Sequence, residues 1–119
     1  MKIVLATSNP GKLREFQALS QAAPDLELVL APAGFNPEET GATFVDNALL
    51  KAREAAKLCQ LPAIADDSGL SVEALNGRPG IHSARYCEGS DGDRRKKLLH
   101  ELKDIPLDQR KAAFVCAIA

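Results

Sequence analysis

Lys2-Ile-Val-Leu-Ala-Thr-Ser-Asn-Pro-Gly-Lys12 is the stretch that decides the fold class of this chain. Lys2 to Ala6 is a short apolar run rich in β-branched residues, and so short a run favours a buried strand. Thr7 to Gly11 are turn formers. From Lys12 onward, Leu13, Phe16, Leu19 and Ala23 recur near one helical face, leaving Lys12, Arg14, Glu15 and Gln17 on the wet side. Pro24 ends that helix. Strand, turn and helix in this order open an α/β layer.

The alternation continues along the chain. Leu26–Leu30 is a second strand, and residues 31–41 are a loop rich in Gly and Pro. Thr43 is the predicted N-cap of a helix over Phe44–Leu58, with Asp46 as a short capping-box acid. Phe44, Ala48, Leu49, Ala52, Ala55 and Ala56 give that helix an apolar face, and its alanines permit close approach to a sheet. Leu61–Ala65 is a short strand ending in Asp66-Asp67-Ser68-Gly69. Leu70–Leu75 fits a helix or a strand, and 76–80 a turn. Asp93 is the predicted cap of a helix through Leu102, with Leu98, Leu99 and Leu102 facing inward. Strands alternating with helices predict an α/β layered domain with some parallel pairing. Arg110 to Ala119 grow steadily more apolar and read as a strand cut in the middle, so a C-terminally truncated single domain over 1–119 is expected.

Composition narrows the function classes. Fifteen Lys+Arg against sixteen Asp+Glu give a net charge of −1, which argues against bulk electrostatic binding to nucleic acid or an anionic membrane. The run Arg94-Arg95-Lys96-Lys97 has no interleaved aromatic residue and reads as a solvated helix face. No apolar run approaches the roughly 18 residues of a membrane span, and the N-terminus lacks signal-peptide features. The cysteines Cys59, Cys87 and Cys116 are odd in number with no CxxC pair, which points away from disulfides or structural zinc and toward a reducing cytoplasm. His82 and His100 lack metal-ligand spacing.

Two segments carry chemistry. Thr7-Ser8-Asn9-Pro10-Gly11-Lys12 lies between strand and helix, where free N–H groups and the helix dipole attract phosphate. Gly11 permits close backbone approach, Thr7, Ser8 and Asn9 donate hydrogen bonds, and Lys12 adds a point charge. The spacing is not that of a Walker A loop, and an Asn-Pro-Gly turn before a surface lysine fits the same residues. Asp66 and Asp67 are adjacent on an extended chain and face opposite sides, so they should do different jobs. One would hold Mg²⁺ or polarise a water while the other fixes a neighbour; a solvated turn is the rival reading. Glu38 and Glu39, in a loop before a helix, would complete a metal site with Asp67 or simply stand exposed. Lys51, in mid-helix, would reach a phosphate or lie on the surface.

Taken together, Thr7-x-Asn9-x-x-Lys12, Glu39-Thr-Gly41-x-Thr-Phe44-x-x-Asn47-Ala-x-x-Lys51-Ala52, Ala65-Asp-Asp-Ser-Gly-Leu70 and Pro79-Gly-Ile-His-Ser-Ala-Arg-Tyr86 closely resemble the inosine/xanthosine triphosphate pyrophosphatase family. The motifs occur in the family's order, and the match covers about residues 2 to 119, its N-terminal part. The resemblance implies Mg²⁺-dependent hydrolysis of non-standard purine nucleoside triphosphates (ITP, dITP, XTP) to the monophosphate and pyrophosphate. It implies an elongated α/β fold with a mixed twisted sheet flanked by helices, two lobes around a central cleft, and a homodimer. Position by position, Thr7 to Lys12 line the phosphate site, Lys51 contacts the triphosphate and Ser68 the nucleotide. Asp67 is the catalytic acid–base residue and a metal ligand, supported by Asp66, and Glu38 or Glu39 is the second metal-side carboxylate. The family's Phe-Gly-Tyr-Asp-Pro-like and Ser-His-Arg-like segments, which shape the base pocket, are absent from these residues. A related house-cleaning pyrophosphatase for pyrimidine or methylated nucleotides is a rival reading. A further rival is a non-catalytic fragment that binds nucleotide phosphate weakly or self-associates.

Overall fold

The apolar opening run forms strand β1 (Lys2–Leu5), whose Val4 and Leu5 are each 1% exposed. Burying a side chain such as Val4 contributes about 1.5–3 kcal/mol. In the computed structural model, which describes residues 1–119, β1 is the middle strand of a three-stranded sheet. It pairs in parallel with β2 (Glu27–Leu30), from Lys2↔Glu27 to Leu5↔Leu30. On its other side it pairs in parallel with β3 (Ala63–Ile64). Parallel neighbours need crossover connections, and α1 (Pro10–Leu19) and α2 (Phe44–Cys59) supply them.

Helix α1 starts two residues before the expected Lys12. Pro10 takes the first helical position, where its missing N–H costs nothing, and the Asn9 side chain accepts the Gly11 N–H. The helix tightens into a 3-10 turn at Ser20–Ala22 ahead of Pro24. Thr43 caps α2 as predicted, its hydroxyl accepting the Asp46 N–H at 3.1 Å. Ala55 is fully buried and packs with Val4, Ala6, Ala31 and Ala65, while Ala52 borders the same cluster. Small side chains thus set α2 close against the sheet.

The chain forms two compact units, residues 1–67 with 117–119, and residues 68–116. Asp66–Gly69 is not a turn closing a strand. It begins β4 (Asp66–Val72), which pairs with β5 (Ala112–Ile118). Ala65 and Ala119 exchange both backbone hydrogen bonds at 2.9 Å, which makes the pairing antiparallel. The partner strand is remote in sequence, so local patterning did not reveal it. Leu70–Leu75 is accordingly strand to Val72 and a 3-10 turn from Glu73.

In the second unit Val72, Leu75 and Leu102 form the core, with Leu98 packed against them. Leu99, expected inside, is 58% exposed, because it lies a helical step around from Leu98 and Leu102. The helix α3 (Asp91–Glu101) is capped by Ser90, not by Asp93. Asp93 instead occupies the third helical position and returns a hydrogen bond to the Ser90 N–H at 2.8 Å, a capping box. In the basic run, Arg94 is tied to Asp91 at 2.6 Å and Lys97 stands 4.1 Å over the Tyr86 ring, while Arg95 and Lys96 face solvent. No helix is long and apolar enough to cross a membrane.

Candidate active site

The site forms in the first unit, where the turn after β1 meets the start of β4 and one face of α2. Ends of parallel strands are where ligands gather in α/β sheets. Local polar contacts shape the turn. Thr7 Oγ1 accepts the Asn9 N–H at 3.1 Å, and Asn9 Oδ1 accepts the Gly11 N–H at 2.8 Å. The expected free N–H of Gly11 is therefore occupied, and Pro10 has none to offer. What the turn projects toward the site is a cation. Lys12 Nζ lies 2.7 Å from Asp66 Oδ2, and Asp66 is only 8% exposed.

Asp67 faces the other way, as the two-residue period of an extended chain requires. Its Oδ1 lies 3.8 Å from Lys51 Nζ, which in turn lies 3.3 Å from Glu39 Oε1. One ammonium thus serves two carboxylates. Burial pushes the Asp67 carboxyl above the ordinary carboxylate range. The negative charge of Glu39 adds to that push, and Lys51 and then Asn47 oppose it. Asn47 faces this carboxylate without a well-formed hydrogen bond, since Asn47 Nδ2 and Asp67 Oδ2 are both buried with no hydrogen-bond partner.

Of the expected metal-side acids, Glu39 shares Lys51 with Asp67, whereas Glu38 is exposed. No three His, Cys, Asp or Glu side chains converge. A pair of carboxylates with an unpartnered buried oxygen fits Mg²⁺, a cation commonly held by one or two carboxylates together with substrate phosphates. Beside this pair lies a cavity of about 160 Å³ lined by Thr7, Ser8, Phe35, Asn36, Glu39 and Lys51. Pro10 and Gly11 open α1 and do not line it. Ser68 is exposed on β4 and belongs to the second unit. Sequence reasoning gave no role to Asn47 or Phe35. For Asn47 a signal was present: it precedes Lys51 by four residues, so both share one face of α2.

Comparison with known proteins fixes the kinship. A family model described as the Ham1 family matches residues 3–119. The chain belongs to the Ham1 family. The dITP/XTP pyrophosphatase of Mannheimia succiniciproducens is 53% identical over 130 residues, covering 98% of this chain and 61% of that protein. The dITP/XTP pyrophosphatase of Pseudomonas syringae pv. tomato is 52% identical, covering 99% and 60%. Among solved structures, a nucleoside-triphosphatase / dITP/XTP pyrophosphatase from Mycobacterium abscessus superposes with a TM-score of 0.86 at 47% identity, covering 100% of this chain and 64% of that one. A HAM1 protein from Coxiella burnetii superposes at 0.89 with 43% identity, covering 100% and 62%. This Ham1-family chain spans about 61% of the length of the curated relatives it matches. The α/β fold and the family inferred from the four motifs both stand.

Proposed function

We propose that this Ham1-family chain carries the phosphate-handling half of a pyrophosphatase that hydrolyses ITP, dITP and XTP to the monophosphate and pyrophosphate, removing non-standard purines from the nucleotide pool. One observation carries the reading. Lys12 of α1 and Lys51 of α2 each end on one of two consecutive carboxylates, Asp66 and Asp67, so two helices aim cations at one strand start. Relatives about half identical in sequence are named dITP/XTP pyrophosphatases, which supports the choice of nucleotide.

The chemistry follows from the side chains. Water attacks the α-phosphorus, the bond to the bridging oxygen of pyrophosphate breaks, and the water proton passes to Asp67. A carboxylate raised by burial is a better base than an ordinary one near neutral pH. Lys12 and Lys51 neutralise the triphosphate and the departing pyrophosphate. Mg²⁺, held by Asp67 and Glu39, supplies further charge neutralisation when bound. Asp66 holds Lys12 in place, and Thr7 and Ser8 line the phosphate cavity. The free thiols of Cys59, Cys87 and Cys116 suit a cytoplasmic setting, and the family resemblance supports a homodimer that gel filtration would detect.

The test is to incubate the purified protein with dITP, XTP, ITP and ATP, with and without Mg²⁺, and to follow pyrophosphate. Release from the first three in Mg²⁺, with little from ATP, is expected. A folded protein that releases none from any nucleotide overturns the reading in favour of a non-catalytic nucleotide-binding fragment.

A further inference from the structure

We infer that Asn47 is a positioning residue that holds the Glu39–Gly41 segment and the Asp67 side chain in register around Lys51. Asn47 is 0% exposed, the one uncharged polar side chain buried in the first unit. A buried carboxamide is costly unless its groups are used. Its oxygen is used. Asn47 Oδ1 accepts the Gly41 N–H at 2.7 Å and so clamps the segment that carries Glu39. The clamp is tight: a Cβ on Gly41 would lie 2.6 Å from Asn47 Oδ1 and 2.6 Å from Asp46 Cβ.

The other end of the carboxamide is the informative one. Asn47 Nδ2 is buried and has no partner, and the only other such side-chain atom in the protein is Asp67 Oδ2. Asn47 and Lys51 lie four residues apart on α2, so they share the helix face that meets Asp67. A donor without an acceptor and an acceptor without a donor thus sit in one neighbourhood. The Asn47 and Asp67 side chains lie close enough to interact. A small closing movement lets Nδ2 donate to Oδ2 while Oδ1 keeps Gly41. That bond fixes which Asp67 oxygen remains turned toward Lys51. Asn47 is fully buried, so its part is to act through Asp67 and Glu39.

The kinetic part of the inference rests on the pyrophosphatase reading, and the structural part does not. The experiment compares the wild-type protein with Asn47→Ala and Asn47→Asp. Native-state amide hydrogen exchange reads the clamp directly. In Asn47→Ala, exchange at Gly41 is expected to speed up about tenfold or more for the loss of one hydrogen bond, with Ala52 to Cys59 unchanged. Asn47→Asp keeps an acceptor for Gly41 and loses the donor, so Gly41 stays protected. Both variants are expected to lose about 10–100-fold in kcat/KM for dITP, mainly in kcat, as removal of a supporting hydrogen-bond partner commonly does. A folded Asn47→Ala protein with unchanged Gly41 exchange overturns the clamp, whatever the activity. Wild-type kcat in Asn47→Asp overturns the link to Asp67. A wild-type protein that releases no pyrophosphate sinks the enzyme reading and the Asp67 link with it, and the exchange result then decides the clamp alone.

Discussion

Lys12 Nζ and Asp66 Oδ2 stand 2.7 Å apart, tying the first turn of α1 to the first residue of β4 across 54 positions of sequence. The carboxylate is nearly buried and the ammonium about one-third exposed, with side-chain exposures of 10% and 35%. The pair therefore fixes geometry at the site and contributes modestly to stability. In a double-mutant cycle of Lys12→Met and Asp66→Asn followed by urea unfolding, a coupling of about 1 kcal/mol is expected. Additive effects would show that the two side chains do not act as a pair.

Asp67 makes the opposite kind of contribution. Its pKa is raised from 3.8, chiefly by burial and then by Glu39. The folded protein therefore binds that proton more tightly than the unfolded chain does, and stability falls as pH rises from 3.8 through the folded value. At neutral pH the ionised carboxylate is a cost of folding. Asp67→Asn is expected to unfold at an equal or higher urea concentration than wild type at neutral pH, with the advantage shrinking as pH drops toward 3.8. A variant markedly less stable at neutral pH contradicts this assignment.

The protein has a single tyrosine, so its ionisation is readable by ultraviolet absorbance. Burial, together with the hydrogen bond that Tyr86 donates to Glu101, pushes the phenol from 10.0 up to about 12. Stability is expected to decline as pH rises through that interval, since the unfolded chain gives up this proton first. A titration midpoint near 10.0 in the folded protein would mean that the Tyr86–Glu101 contact does not form.

Gly41 has no room for a side chain, because a Cβ would meet Asn47 Oδ1 and Asp46 Cβ at 2.6 Å. Gly41→Ala must push the loop off α2, at about 1–3 kcal/mol. Urea unfolding of the variant measures this loss, and an unchanged midpoint argues against so close an approach.

Much of the first unit was legible because its signals are local. The β-branched run at Ile3 and Val4 marks β1, and the Ala-rich face behind Thr43 marks α2 and its cap. The alternation of Asp66 and Asp67 was likewise a local consequence of extended backbone, and it holds in their separate lysine partners. What sequence did not reveal depends on distant partners. Asp66–Gly69 reads as a turn until β5 arrives to pair with it. The choice of Glu39 over Glu38 depends on which acid the loop brings to Lys51. Asn47 stood in the family motif without a role of its own, and only its burial and its bond to the Gly41 N–H give it one.

The most direct measurement is the rate of pyrophosphate release from dITP by the wild-type protein and by Asp67→Asn, with folding of both checked by circular dichroism. Loss of a general base predicts a drop of about 100- to 10,000-fold in kcat with the fold intact. An Asp67→Asn protein that turns over dITP at close to the wild-type rate would contradict the central claim, because the buried acid beside Lys51 would then have no part in the reaction.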